Sequence, residues 1–415
     1  EIYALFSKQA VLKGSFDKFA DNKKKKGTTT VDNEFLVEIE KWRQNLAQNI
    51  TKNNQITPRQ LNHAVQVTID RIVFLRICED RGIEPYGKLE KIKSKKDIYK
   101  QLLSFFKDAD DRYNSGLFHF NEKEKGRSTE VDTLTSKLKI DDEPLQELIE
   151  SLYFPNPYEF SVIPSDILGQ IYERFLGKVI VLENGTAKVE EKPEVKKAGG
   201  VFYTPTYIVE YIVHNTLDKI LENKTPKQVE KLSILDPACG SGSFLLVAYQ
   251  HLLDWHLNYY LENGGHDKFK KQIHPTQNGG WRLTTQQRKQ ILLNSIYGVD
   301  IDTQAVEVTK LSLLLKVLEG ESNDTLQKQY TMLHERALPD LGHNIKCGNS
   351  LIGTDIYSQL GLPNLSEDDH YRINPFDWKN GFESITKVGG FDVIVGNPPY
   401  IFARGEQFKS YEKDY

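Results

Sequence analysis

The chain turns on residues 232–248. There the apolar tetrad Leu232-Ser233-Ile234-Leu235 runs into Asp236-Pro237-Ala238-Cys239-Gly240-Ser241-Gly242-Ser243-Phe244-Leu245 and then Leu246-Val247-Ala248. A buried strand ending in an acid, then a glycine turn and a helix, is how an α/β sheet builds a nucleoside-sized site at its carboxyl edge. Gly240 and Gly242 let the backbone approach a ligand closely. The dinucleotide fingerprint needs a third glycine three residues after the second, where this chain has Leu245, and no P-loop lysine is present. The pattern predicts a site for a ligand without a pyrophosphate, with S-adenosylmethionine (AdoMet) the leading candidate.

A second feature is Asn397-Pro398-Pro399-Tyr400, directly after the expected strand Phe391–Val395 and Gly396. Two prolines remove two backbone donors and stiffen the turn, so the Asn397 amide oxygen and the Pro398 carbonyl become fixed acceptors. Two fixed acceptors suit an NH2 group. An exocyclic amine donating both hydrogens there turns its lone pair toward an incoming methyl, and Tyr400 offers a flat face to the attached ring. The expected chemistry is direct methylation of an amino group.

Length and charge bound the rest. A chain of 415 residues allows two or three domains, and 27% charged against 39% hydrophobic residues is ordinary for a soluble protein. Neither a membrane-length apolar run nor a secretory leader appears, so a cytoplasmic location is expected. Cys78, Cys239 and Cys347 lack metal-ligand spacing, and no metal is expected. The net charge of −4 gives no global footprint for nucleic acid, although a local basic cleft can sit on an acidic protein. Lys23–Lys26 read as a solvated loop in preference to a phosphate contact. The chain starts at Glu1 and stops fifteen residues past Tyr400, which reads as a fragment.

From Glu1 to about Val195 the pattern is mainly helical. Phe35, Leu36, Ile39, Trp42 and Leu46 recur at helical spacing, as do Leu61, Val65, Ile69, Ile72 and Val73, with Gly82 a C-terminal cap. Further helices are expected over Asp97–Leu103, Val131–Leu138, Leu145–Tyr153 and Asp166–Phe175. Glu38-Ile39-Glu40-Lys41 misses the spacing of a metal-dependent nuclease and lies on a helical pattern. Residues 183–197 are polar, a linker or a hairpin excursion around Asn184-Gly185. At Phe202-Tyr203-Thr204-Pro205 a helix is announced, with Thr204 as N-cap and Pro205 at the first helical position. That helix is either simply well capped or part of the cofactor pocket, and its place just ahead of the glycine turn favours the pocket.

Asn294–Asp302 reads as the next strand. Asp300 suits a ribose diol, since a carboxylate accepts from both hydroxyls, and Asp302 caps the helix of Thr303–Leu318. Strands over Asn344–Cys347 and Phe391–Val395 complete a mostly parallel sheet. Residues 353–390 form an ordered insertion of no evident role.

With these pieces in order the chain resembles a gamma-class DNA amino-methyltransferase, specifically the adenine-N6 module of fused type IIG restriction-modification enzymes and related phage-defence methylases. Phe202–Pro205 is similar to the family's N-terminal cofactor motif, Asp236–Phe244 to its first AdoMet motif, Gly298–Asp302 to its second and Gly348–Leu351 to its third. Asn397–Tyr400 is similar to its catalytic tetrapeptide. The resemblance implies an α/β fold with a Rossmann-like, mostly parallel sheet over residues 199–415, incomplete at its C-terminal end, preceded by a mainly helical connector over 1–198. It implies AdoMet held by Phe202, Tyr203, Thr204, Pro205, Asp236, Pro237, Ala238, Gly240, Gly242, Phe244, Asp300, Ile301 and Asn349. Asn349 stands where many relatives have an aspartate. Asn397, Pro398, Pro399 and Tyr400 would grip and stack a flipped adenine, with no covalent nucleophile.

The implied partner is double-stranded DNA, with a nuclease and a target-recognition domain outside these residues. Residues 1–415 alone are expected to bind AdoMet weakly or not at all and to methylate nothing. The same tetrapeptide also serves enzymes that methylate a glutamine side chain or a guanine amine in RNA. The Phe-Tyr-Thr-Pro helix and the long helical front favour adenine in DNA. A non-catalytic scaffold would not require Asp236, Asp300 and Asn397 together.

Overall fold

The computed structural model describes residues 31–113, 116–120, 131–154, 160, 177–192, 204–276, 279–321, 338–359 and 373–398. Lys23–Lys26, the helix expected over 166–175, the boundary expected at 198/199, Phe202, Tyr203, Pro399 and Tyr400 lie outside them.

The front of the chain is a helical layer of α1 (Val31–Asn53), α2 (Pro58–Asp80), α3 (Ile98–Tyr113) and α4 (Asp142–Ser151). The apolar positions anticipated on α1 and α2 are buried, among them Phe35, Ile39, Leu46, Leu61 and Ile69, except Leu36, which is half-buried. Helix α2 opens on a capping box between Thr57 and Gln60. It closes on Gly82 at φ +67°, where Gly82 N donates to Glu79 O and Ile83 N to Cys78 O, the paired bonds of a left-handed C-terminal cap. Helix α3 runs well past the expected Leu103. The helix expected over Val131–Leu138 is replaced by one tight turn at Thr135–Lys137. The cause is Asp132, whose carboxylate accepts from the Leu134 and Thr135 amides at 3.1 and 2.8 Å and pairs with Arg71. A side chain that satisfies these amides competes with the helical ladder.

The front is not wholly helical. Strands β1 (Lys178–Glu183) and β2 (Thr186–Glu191) form an antiparallel hairpin through Asn184 and Gly185, both at positive φ, as a two-residue turn between strands demands. A lone two-stranded ribbon is marginal in water. Here Asn62 brackets Ile180 (Nδ2 to O, 2.7 Å; N to Oδ1, 2.9 Å), and Gln44 bonds Ala187 O and Val189 N in the same manner. Side-chain amides from α2 and α1 thus take hydrogen-bonding positions that a further strand would otherwise fill.

The second half contains α5 (Thr206–Leu221), β3 (Ile234–Asp236), α6 (Ser243–Glu262), the hairpin β4 (Ile273–Pro275)–β5 (Trp281–Leu283), α7 (Thr285–Ser295), β6 (Ile296–Asp300), α8 (Thr303–Val317), β7 (Ile345–Cys347) and β8 (Val393–Ile394). Asn294 and Ser295, expected in a strand, close α7 instead. That helix was hidden because its polar stretch Thr285–Lys289 carries little apolar periodicity. The last strand shrinks from the expected 391–395 to two ladder residues, although Asp392 N and Val395 N still bond Ser233 O and Leu235 O.

The four-stranded sheet has the order β7-β6-β3-β8, and all three pairings are parallel. Its residues alternate between two cores. Ile234 and Ile296 join the main core shared with α6, α8 and the helical layer, while Leu235 and Val299 face the other way. That second face is covered by Phe376 and Phe382, with Tyr297, Trp378 and Phe391 beside them, in edge-on ring contacts such as Phe382–Phe391 at 5.2 Å. The described part of the 353–390 insertion therefore supplies the sheet with its second apolar layer.

Candidate functional site

The strand order reverses at β3. From β3 the chain moves to β6 and β7 on one side and then returns to place β8 on the other. Ligand crevices of open α/β sheets lie at such a reversal, outside the carboxyl ends of the strands. At this point Asp236 ends β3, Asp300 ends β6 and Gly396-Asn397 follow β8.

The glycine turn is held by backbone and side-chain bonds from β6 and α8. Cys239 N donates to Val299 O at 3.0 Å and Gly240 N to Asp300 Oδ2 at 2.8 Å. Thr309, fully buried on α8, donates through its hydroxyl to Gly240 O at 2.8 Å. Gly242 has φ +85°, and a Cβ there would sit 2.8 Å from Thr309 Cγ2. Gly240, at φ +53°, has nothing within 4 Å of where a Cβ would project. One glycine is thus required by the protein's own packing, whereas the other leaves open space at the crevice.

Leu245 is fully buried and its Cδ1 would lie 2.8 Å from a Cβ on Gly298. The close helix–strand approach that a third glycine of the turn gives in dinucleotide folds is supplied here from the opposite side, by a glycine in β6. Phe244 is 4% exposed and belongs to the main core, away from the open face. Pro237 and Ala238 are half-buried along the turn. Cys239 is buried, and burial pushes its thiol well above the usual range with Asp300 and Asp236 adding to the effect. It is a neutral packing group.

Asp236 is 1% exposed and its Oδ1 accepts from Ala238 N at 3.0 Å. Gly396 stands against it, so close that a Cβ would fall 2.6 Å from Asp236 Oδ1. The strand-end acid of the glycine turn and the residue that introduces the tetrapeptide are in contact. Asn397 is exposed, and its Nδ2 donates to Thr204 Oγ1 at 3.1 Å. The expected N-cap role of Thr204 is not realised. Pro205 has ψ 137° and its carbonyl accepts from Ile208 N and Val209 N, so Pro205 is the cap residue and α5 starts at Thr206. Thr204, displaced to the preceding position, turns its hydroxyl to Asn397 instead.

Asp300 accepts from Gly240 N and from Asp302 N at 2.9 Å. Burial raises its pKa, opposed by those two amides and by Lys192. Each carboxylate oxygen has two acceptor positions, so one remains on each for a diol. Ile301 beside it is 49% exposed, an apolar face at the strand end. Asp302 caps α8 through Gln304 N at 2.9 Å, as expected, and pairs with Lys192 at the end of the β1–β2 hairpin. Asn349 is half-buried, with Oδ1 accepting from Leu351 N and its backbone bridged to Pro375. Thr309, Gly396 and Lys192 were not picked out from the sequence. Buried hydroxyls on α8 occur at both Thr309 and Ser312, so nothing in the sequence singles out Thr309.

Residues 164–337 match the N-6 DNA methylase family, and residues 294–415 match the Eco57I restriction-modification methylase family. The chain belongs to the N6 DNA methylases. It is 36% identical over 405 residues to the type II restriction enzyme and methyltransferase RM.Eco57I of Escherichia coli, covering 97% of this chain and 37% of that protein. It is 28% identical over 346 residues to the putative type II restriction enzyme and methyltransferase RM.MjaORFECS2P of Methanocaldococcus jannaschii, covering 69% and 27%. To the adenine-specific methyltransferase PglX of Streptomyces coelicolor it is 26% identical over 221 residues, covering 52% and 16%. The chain therefore spans well under half the length of these relatives. The methyl donor of N6 DNA methylases is AdoMet, and the open space at Gly240 beside two strand-end carboxylates suits a zwitterionic nucleoside. Among the described residues no helix is long and apolar enough to cross a membrane.

Proposed function

We propose that this N6 DNA methylase module transfers a methyl group from AdoMet to the N6 amine of an adenine flipped out of a specific double-stranded DNA sequence, within a restriction-modification or phage-defence system in the cytoplasm. The observation that carries the reading is the contact of Gly396 with Asp236 at the strand-order reversal. It joins the turn suited to the cofactor to the tetrapeptide suited to the amine.

In this reading residues 204–398 are one functional unit. Asp236, Pro237, Ala238, Gly240 and Gly242 hold the methionine side of AdoMet, Asp300 the ribose, and Ile301 and Asn349 the adenine. When bound, AdoMet supplies a methyl group activated by its sulfonium. Asn397 Oδ1 and the Pro398 carbonyl accept the two hydrogens of the target amine. This directs the nitrogen lone pair at the methyl, and the amine's surplus proton leaves to solvent after transfer. Pro399 and Tyr400, the rest of the tetrapeptide, would take the restraining and base-stacking roles that the motif implies. The restriction activity named for two of the relatives, and a target-recognition domain, would reside in other parts of the protein. The relatives favour DNA adenine over an RNA amine or a glutamine side chain.

The test is to express the uninterrupted gene, beside its Asn397→Ala variant, in a host without DNA methylation and to map modified bases. N6-methyladenine at one recurring sequence, missing in the variant, is expected. Unmodified DNA despite folded protein that binds AdoMet would sink the DNA reading.

A further inference from the structure

Away from the crevice, helices α5 and α6 pack together and bring His214, Asp218 and His251 into one cluster. His214 and Asp218 are four residues apart on α5, hence neighbours on one helix face, and His251 reaches them from α6. His214 Nδ1 lies 3.6 Å from Asp218 Oδ2, and His251 Nε2 lies 2.9 Å from Asp218 Oδ1. All three ligand atoms fall within 4.8 Å of one another. His251 Nε2 is shielded from solvent yet makes no aligned hydrogen bond, its approach to Asp218 being out of line.

A simple histidine–aspartate pair would need only one imidazole, whereas here two rings and the carboxylate bring their ligand atoms together. We propose that His214, Asp218 and His251 form a three-ligand site for a divalent transition cation of the zinc class.

Two imidazoles and one carboxylate are a borderline nitrogen and oxygen set that suits zinc and its neighbours over magnesium or calcium. Zinc holds such ligands at about 2.0–2.2 Å, which separates them by roughly 3.3–3.5 Å in a tetrahedral shell. The observed spacings approach this, so side-chain adjustments of about 1 Å close the site. The His214 and Asp218 side chains are 53% and 60% exposed, which leaves an entry path and a fourth position for water. The cation would staple α5 to α6. Thr204, just ahead of α5, bonds Asn397, and α6 begins at the glycine turn, so the staple ties together the two segments that frame the crevice. The proposal does not depend on the identity of the methylated substrate.

The test is titration of the 415-residue chain, free of any histidine tag and stripped with chelator, with Co2+ and then competing Zn2+. One Co2+ per chain with a visible absorption band, displaced by one Zn2+, is expected. His214→Ala and His251→Ala should each weaken Co2+ binding at least tenfold. The metal-free melting temperature of each variant reports whether the fold is kept. His214→Cys serves as a gain-of-signal variant, since it should retain Co2+ and add a thiolate-to-cobalt band in the near ultraviolet. Absence of stoichiometric Co2+ binding, equal affinity in the folded His214→Ala/His251→Ala double variant, or a Cys variant without the new band would overturn the proposal.

Discussion

Gly298→Ala probes the contact on which the crevice depends. The added methyl would lie 2.8 Å from Leu245 Cδ1, 3.1 Å from Cys239 Sγ and 3.3 Å from Cys239 Cβ. Leu245 is fully buried and Cys239 is 4% exposed, so any shift that relieves the clash must be made within the core. Overpacking of this kind costs about 1–3 kcal/mol. The strain would fall on the glycine turn, loosening the Cys239–Val299 and Gly240–Asp300 bonds that pin it to β6. For a unit near 200 residues, 2 kcal/mol corresponds to a fall of roughly 4–8 °C in melting temperature. Scanning calorimetry of the wild type, Gly298→Ala, Leu245→Val and the double variant measures it. Because Leu245→Val removes the Cδ1 that clashes, the double variant should be more stable than the sum of the single effects by about 1 kcal/mol. Strict additivity, or a Gly298→Ala melting temperature within 1 °C of wild type by order-of-magnitude reckoning, would refute the packing argument.

Thr204→Val in the full-length protein should lower the single-turnover methylation rate by roughly fivefold, the worth of one hydrogen bond of about 1 kcal/mol, while AdoMet affinity stays within twofold by the same reckoning. An equal loss of affinity would place Thr204 on the cofactor instead. Phe382→Ala removes the ring at the centre of the second core and should destabilise the sheet by about 3–5 kcal/mol, which hydrogen exchange at β3 and β6 would register as lost protection. Asp300 gives a pH signature. Its folded pKa is raised, so the folded chain holds this proton more tightly than the unfolded chain, and stability from this group is lost as pH rises through the folded value. The wild-type melting temperature minus that of Asp300→Asn should therefore fall as pH climbs from about 3 toward 7. A rise in that signed difference would show that the backbone amides and Lys192 outweigh burial.

Legibility in the sequence followed the locality of the cause. The glycine turn, the Asp302 cap and the Gly82 C-terminal cap could be read because each is decided by residues a few positions apart, with φ, capping bonds and apolar spacing all contained in one stretch. Helix α7 could not be read so, since its burial of Ile291 and Leu292 against β6 and α8 is a tertiary matter and its first turns are polar. The Thr204 cap failed for the opposite reason. Its local signal was sound, but a partner 193 residues away, Asn397, takes the hydroxyl, while Pro205 with ψ in the extended range moves the helix start by one.

The insertion before β8 shows the same limit at larger scale. Trp378, Phe382 and Ile385 share a helical spacing over only two one-turn helices, Trp378–Gly381 and Glu383–Thr386, and their purpose, with that of Phe376, appears only when the sheet offers Leu235, Tyr297 and Val299 as an uncovered face. The contact between Gly396 and Asp236 depends on this arrangement too. A parallel β8 can pair with β3 only after the chain has crossed back over the sheet, and the aromatic layer lies immediately before that strand. The aromatic layer and the crevice are thus two consequences of one return crossing, and substitutions in the layer should disturb the site through β8 even though none of its rings lines the glycine turn.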